Sequence, residues 1–562
     1  MVRGLGDLER CCAGSGQRTP DQRAPPLLPS PPGGRPMRSR SIAGMLLVGL
    51  VACEGTIGEG GYPGESEAEA RDPRFEDRIW RLSPSQLQGE VEGMFGPEVP
   101  SVDLPGGAAE HGLTNIAATA VVDTGNAGRF VDTMRSVGEW VVAHGPAASR
   151  CGDTWGTSEC VDGFLEWFPA EAFRRPVTAA ERTELRTLHD ELAAEYDADY
   201  AFAGLVRAVL LSPSFLYRIE LAEGAEGSVA ELDGYAIASL LSFGLTDAGP
   251  DDALMAAAGS LADPDVREAH ARRLMDSSDP VWQRFFWEWL EMATLESQGN
   301  EVGLDPALVA QMEEEYRTFV SRVVVDERGT LADLMTRPQT WVRPELAAYY
   351  GVDHPGDGVQ SVTMAEGQRS GLLTQAAWLV AHGKRGEANV VRRGMAVFRD
   401  AMCRDVAPLD IDLAAALADL VDPDASVRDV VVARGEDATC GACHRLADPI
   451  GLAFETFAGD GAWQTTYDHD GRPVETDILL PGHGAVDGAV DVSAALAEDH
   501  AFRSCLVRRF AHFLMGADVG DPATVRWTSE ADRAFVESGG SFEELLVALV
   551  RDPAFIERKV TR

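Results

Sequence analysis

Along most of Trp80–Met292 apolar residues recur every three or four positions, the spacing that lays one stripe along a helix. The run RLSPSQLQGEVEGMFG (81–96) carries a start signal. Ser83 stands as N-cap, Pro84 at the first helical position and Gln86 three residues beyond the cap. A second start, DPALVAQMEEEYRTFVSRVVV, opens on Asp305 and Pro306, and Leu308, Met312, Tyr316, Phe319 and Val323 then follow one face. The aromatic run VWQRFFWEWLEM (281–292) reads as core. Strand-like alternation is scarce, and no period of 20–50 residues repeats. The region after Gly459 is the least helical, and GDGAWQTTYDHDGRPVETDILL predicts a short hairpin around Asp470-Gly471.

These patterns predict a mainly α, multi-domain protein. Its 562 residues exceed one ordinary core, and 45 % of them are hydrophobic, as in a globular chain. The expected organisation is an N-terminal extension with a signal over 1–53 and an acidic tether over 54–75. Helical domains over 76–225 and 226–360 follow, then a C-terminal region over 361–562. A formal net charge of −41 argues against nucleic acid and anionic membrane surfaces as partners. It suits plain solvation, a saline medium or a basic partner protein.

A second methionine, Met37, opens MRSRSIAGMLLVGLVACEG. Arg38 and Arg40 precede the short apolar run Ile42–Ala52, which is too short to span a bilayer and fits an export signal. Its end, Leu50-Val51-Ala52-Cys53, resembles a bacterial lipobox, which implies that Cys53 becomes the lipidated first residue of the mature protein. A simple signal peptide or a short buried helix are the alternatives. The expected location is therefore the periplasm or cell surface, with the membrane reached only through a lipid anchor.

Nine cysteines are present. Cys11 and Cys12 precede the signal. Cys440, Cys443 and His444 form a C-x-x-C-H run within TCGACHRLADPIGLAFETF (439–457). On one helical turn these three share a face. Two sulfurs can bond a porphyrin covalently while the imidazole Nε2 takes the iron, so the run predicts one covalent haem c with His444 as proximal ligand. The carbonyl of Pro449, or of a neighbour, is the expected acceptor for His444 Nδ1. Phe454, Phe457 and Trp463 suit either cover for the macrocycle or ordinary core. A redox dithiol would need a βαβ setting, a zinc site a second ligand pair, and a Cys440–Cys443 disulfide a very tight loop. The remaining Cys151, Cys160, Cys403 and Cys505 are candidate disulfide partners, Cys151 with Cys160 and Cys403 with Cys505, with free buried thiols as the alternative.

Candidates for the sixth iron ligand are His382, His469, His483, His500, His512 and Met515, and the sequence does not choose among them. Residues 466–477 match a calcium loop only in part, through Asp468, Asp470, Gly471 and Asp477, and read as a solvated turn. No nucleophile elbow, P-loop, H-E-x-x-H or G-x-G-x-x-G run occurs.

Several stretches in order resemble the planctomycete-type cytochrome C proteins, exported mosaics of domains mostly of unknown function. AFRRPVTAAE (172–181), VLLSPSFLYRIEL (209–221), LDGYAIASLLSFGLTDAGPDDALMAAA (232–258) and WVRPELAAYYGV (341–352) carry the likeness. So do RSGLLTQAAWLVAHGKRGEANVVRRGMAVFRDAMC (369–403), the C-x-x-C-H block with DPIGLAFETF, and FRSCLVRRFAHFLMGAD (502–518). The chain departs from the family at Gln86-Leu87, where Glu-Tyr is usual, and at Phe513–Ala517, where Y-A-L-G-R is usual. The resemblance implies an exported haem protein with helical domains and supports Cys440, Cys443 and His444 as the haem site, without supplying a substrate. Arg174, Arg175 and Arg218 match family positions and are expected in ion pairs.

The expected function is electron transfer by a mono-haem c-type cytochrome with an unidentified redox partner protein. The alternatives are a haem-dependent peroxidase or oxidative enzyme, and a non-enzymatic surface scaffold.

Overall fold

The computed structural model describes residues 74–561, except 103, 105–108, 117–119, 121, 123–124, 384–388, 405–424, 438–440, 468–470 and 519. The signal region with Cys53, and the motif residue Cys440, lie outside the described residues.

The chain is mainly helical, with two-stranded sheets tying distant segments together. Strand β1 (Arg78–Arg81) leads into helix α1 (Pro84–Phe95). Ser83 caps α1 by accepting from the Gln86 N–H, while the Gln86 side chain accepts from the Ser83 N–H. Helices α2 (Ala127–Ala143), α3 (Ser158–Phe173), α4 (Ala179–Glu195) and α5 (Ala198–Leu210) follow. Their apolar faces close one core that includes Val91, Met134, Phe164, Phe168 and Leu205. Cys151 is joined to Cys160 at the start of α3, with Cα atoms 5.3 Å apart.

Strand β2 (Tyr217–Glu220) then returns to β1 antiparallel, setting Trp80 opposite Arg218 and Arg78 opposite Glu220. Strand β3 (Val229–Glu231) and α6 (Gly234–Thr246) lead into a second core, which also takes in Phe75, Leu113 and Ile116. Its centre is α8 (Asp279–Trp289), which follows α7 (Pro264–Leu274). Trp282 of α8 stacks on Phe510 with centroids 4.1 Å apart, and Phe285, Phe286 and Trp289 are all buried. Helix α9 (Pro306–Val320) is capped by Asp305 and buries Met312, Tyr316 and Phe319; it ends in a π-helical turn, Ser321–Asp326, that buries Val323.

Strands β4 (Gln339–Val342) and β5 (Gln360–Thr363) pair, and α10 (Ala376–Ala381) and α11 (Val390–Met395) follow. Helices α12 (Val427–Glu436) and α13 (Gly441–Leu452) come next. The hairpin expected around Asp470-Gly471 has residues 468–470 outside the described residues; on either side of them the Tyr467 N–H donates to the Arg472 carbonyl, the Val474 N–H donates to the Thr465 carbonyl, and Thr466 bridges Pro473 antiparallel. The paired strands are β6 (Asp477–Leu480) and β7 (Gly484–Asp487), whose turn uses Gly482 and Gly484 at positive φ. Helices α14 (Gly488–Glu498), α15 (His500–Met515), α16 (Ala523–Glu537) and α17 (Phe542–Arg551) finish the core. Strand β8 (Glu557–Lys559) pairs with β3. Cys403 is joined to Cys505 of α15, Cα to Cα 5.4 Å. No helix among the described residues is long and apolar enough to cross a membrane.

Candidate functional site

Helix α13 carries Cys443 and His444 in its first turn. It lies between α11 and α12 and against β6. The crossing with α11 is close because both helices have glycine at the contact. A Cβ on Gly451 would overlap the Val390 carbonyl oxygen, and one on Gly394 the Ala447 carbonyl oxygen. The turn after α13 is clamped by Arg393, fully buried on α11, which donates to the carbonyls of Phe454, Phe457 and Ala458 at 2.9, 2.6 and 2.7 Å. The C-terminal half of the helix that bears the motif is therefore held by packing against α11.

His444 is mostly covered, and its Nδ1 lies 3.0 Å from both carboxylate oxygens of Asp448. The two residues stand at i and i+4, on one face of α13. Asp448 is 0 % exposed and also accepts from Arg434 Nη1 of α12 at 3.1 Å. A buried carboxylate with a guanidinium partner is a strong acceptor, so Nδ1 donates and the other nitrogen, Nε2, is left as the lone-pair nitrogen. Among the described residues nothing is bonded to Nε2. This corrects the expectation of a Pro449 carbonyl partner. The Pro449 carbonyl is consumed by the Ala453 N–H, since the helix continues past it. The i, i+4 spacing of His444 and Asp448 was readable in the chain; Arg434, on another helix, was not.

Cys443 is a free, partly buried thiol, and burial pushes its pKa up. Phe454 and Phe457 are core residues, packed on Trp378 and Trp463 at centroid distances of 5.1 and 5.4 Å.

The candidate sixth ligands are dispersed. His382 is buried and donates from Nε2 to the Leu290 carbonyl at 2.9 Å, and desolvation pushes its pKa down to about 3. His512 is buried with Nδ1 unpartnered, its pKa pushed down to about 4 by desolvation and then by Arg509 and Arg508. His483 Nε2 is 2.9 Å from Asp499, His500 is exposed, and the Met515 sulfur lies 3.6 Å from Arg558 Nη2. His469 lies outside the described residues. None of the described candidates stands on α11, the π-helical turn Ala396–Ala401, α12 or β6, which pack against α13.

Of the partial calcium loop, Asp468 and Asp470 lie outside the described residues, and Asp477 is bound by Arg428 at 2.7 Å. Among the described residues no group of three or more His, Cys, Asp or Glu is placed to hold a metal ion. The arginines at 174, 175 and 218 pair with Glu90, Glu181 and Glu220 respectively.

Three family profiles match the chain. PSD5, a protein of unknown function (DUF1595), matches residues 160–220. PSD4, a protein of unknown function (DUF1592), matches residues 232–352, and PSCyt3, a protein of unknown function (DUF1588), matches residues 369–467, which include the C-x-x-C-H run. No curated protein and no solved structure matches. These three are characteristic domains of one mosaic family, and the chain belongs to it: the planctomycete-type cytochrome C proteins.

Proposed function

We propose that the protein is an exported, lipid-anchored cytochrome in which Cys440, Cys443 and His444 hold one covalent haem c, and that it passes single electrons to a partner protein. Membership of a cytochrome C family makes it a cytochrome-type protein; the single haem, the carrier role and the anchor at Cys53 are our reading. The observation that carries it is the state of His444. Its Nδ1 is committed to Asp448 and its Nε2 has no partner among the described residues. The residues present fit the group. A bound haem would supply one-electron Fe(III)/Fe(II) exchange. The chain supplies the thiol of Cys443, the fixed tautomer of His444, and the buried Asp448–Arg434 pair that holds the ring in orientation.

One observation favours a second reading, a haem peroxidase. The acceptor at Nδ1 is a carboxylate, not a backbone carbonyl, and an anionic acceptor raises the basicity of the imidazole and so favours the more oxidised iron.

The test is expression of the full chain with a c-haem maturation system. Colour that resists acid–acetone extraction in the wild type, and its loss in Cys440→Ala and Cys443→Ala, supports the assignment. A colourless, correctly exported protein refutes it. Rapid binding of cyanide or carbon monoxide at neutral pH then selects the peroxidase, and its absence the electron carrier.

A further inference from the structure

Buried carboxylates in this chain are paired with guanidinium groups. Glu90 meets Arg174, Asp448 meets Arg434, and Glu220 meets Arg78, Arg218 and Arg558. Glu315 of α9 is built differently. It is 1 % exposed and makes no ion pair among the described residues. Its Oε1 accepts from the Thr340 hydroxyl of β4 at 2.8 Å, and its Oε2 accepts from the Tyr350 hydroxyl. Arg369 acts on it only from a distance. That guanidinium donates to the carbonyls of Thr374 and Gly461, and lies over the rings of Tyr350 and Phe457 at 4.5 and 4.6 Å.

The groups that face Glu315 are therefore few. Tyr350 comes from the short helix Pro344–Tyr350, Thr340 from β4, and Arg369 from the segment before α10. Among the described residues the other elements packed against α9, namely α8, helix Leu295–Val302, the π-helical turn Ser321–Asp326 and α10, turn no titratable group toward it. A carboxylate sealed from water with two hydroxyls and no contacting cation keeps its proton more readily than one in water. Desolvation accordingly pushes Glu315 up to about 7.

The Tyr350 oxygen that donates to Glu315 also accepts the Ala376 N–H at 3.1 Å, and Ala376 is the first residue of α10. Glu315, Tyr350 and Ala376 thus form one hydrogen-bonded chain. It crosses a border, since Glu315, Thr340 and Tyr350 lie in the stretch matched by PSD4, and Arg369 and Ala376 in the stretch matched by PSCyt3. Beside it Tyr349 donates to the Asp460 carbonyl at 2.8 Å across the same border. On the far side, Trp378 of α10 packs on Phe454, in the turn that follows the motif helix, at 5.1 Å.

We propose that the chain Glu315–Tyr350–Ala376 is an acid-tightened latch between these two stretches, and that it holds α10 more firmly as the medium acidifies. The sign follows from proton count. Closed, Glu315 keeps its proton up to about pH 7; opened to water, it ionises from its ordinary value of 4.5. Between those values each opening releases a proton, so every unit of falling pH makes opening about tenfold rarer. Below pH 4.5 both forms are protonated and the effect is complete. The latch does not depend on the haem assignment and stands or falls separately from it.

The experiment is hydrogen–deuterium exchange of the full chain at about pH 5, 6 and 7, read by mass spectrometry on peptides covering Ala376–Ala381. Each rate is divided by the chemical exchange rate at the same pH, which leaves the opening constant. We expect that constant to fall about tenfold per unit from pH 7 to 5. Glu315→Gln keeps the shape, cannot ionise and should flatten the dependence. Tyr350→Phe cuts the chain in the middle; α10 should then open more often at pH 5 and follow pH no longer. The proposal is overturned if wild type and Glu315→Gln share one pH dependence, or if Tyr350→Phe keeps the wild-type slope. A slope of the same size in peptides of α2, which belongs to the other core, would mark global unfolding and overturn it equally.

Discussion

Replacing Asp448 by Asn keeps the side-chain shape and removes the charge behind His444. Asp448 is wholly buried and 3.0 Å from Nδ1, so water does not screen the pair. A hydrogen bond to a charged group contributes about 1.5–3 kcal/mol and a neutral one about 0.5–1.5, so the exchange weakens the bond by about 1–1.5 kcal/mol. The weaker acceptor makes the imidazole less basic and lowers its preference for oxidised iron. For a one-electron couple a tenfold change, 1.4 kcal/mol, is 59 mV, so Asp448→Asn should raise the reduction potential by about 40–65 mV. Arg434→Met removes the group that shares the carboxylate at 3.1 Å, and should move the potential the other way. The assay is a spectroelectrochemical titration of the haem-loaded protein. The iron–histidine stretch in the Raman spectrum of the ferrous form should fall in Asp448→Asn as a second readout. A folded Asp448→Asn protein with potential and stretch unchanged would show that the carboxylate does not act on the ligand, and the reasoning fails.

Other consequences follow from the packing and the buried charges. Arg393→Ala strips four carbonyls, those of Leu379, Phe454, Phe457 and Ala458, of a charged donor and should cost about 4 kcal/mol, seen as a lower denaturant midpoint. The Cys403–Cys505 link spans 102 residues and the Cys151–Cys160 link 9, so loop entropy assigns them about 4.7 and about 2.6 kcal/mol. Cys403→Ser with Cys505→Ser should therefore lower stability more than the corresponding pair at 151 and 160; the reverse order would contradict the loop argument. His382 stays neutral in the fold to about pH 3, while in the unfolded chain it protonates near 6.5, so its contribution is lost as pH falls through that window. His382→Asn should flatten the decline in stability by about 1.4 kcal/mol per pH unit between 6.5 and 4, measured by urea unfolding. Burial raises Glu315 to about 7, so its folded form holds a proton that the unfolded chain releases above about 4.5. Glu315→Gln should make the decline between pH 7 and 4.5 steeper by the same amount, and a parallel curve would refute it.

The chain by itself determined what is local. The caps at Ser83 and Asp305, the aromatic core of α8 and the mainly helical class follow from spacings of three and four residues, because a helix satisfies its backbone within one segment. The C-x-x-C-H run is likewise complete within five residues. The position of the paired strands β6 and β7 was not legible, since their alternation spans only four residues each and two glycines set the turn. Ion pairs were less legible still. With 90 acidic residues against 49 basic ones, every arginine has many possible partners, and only folding selects one. Tertiary structure brought Arg434 to Asp448 and joined Arg78 to Glu220 across 142 residues. Those outcomes depend on which distant segments share a core, and a single strand of sequence does not encode them as spacing.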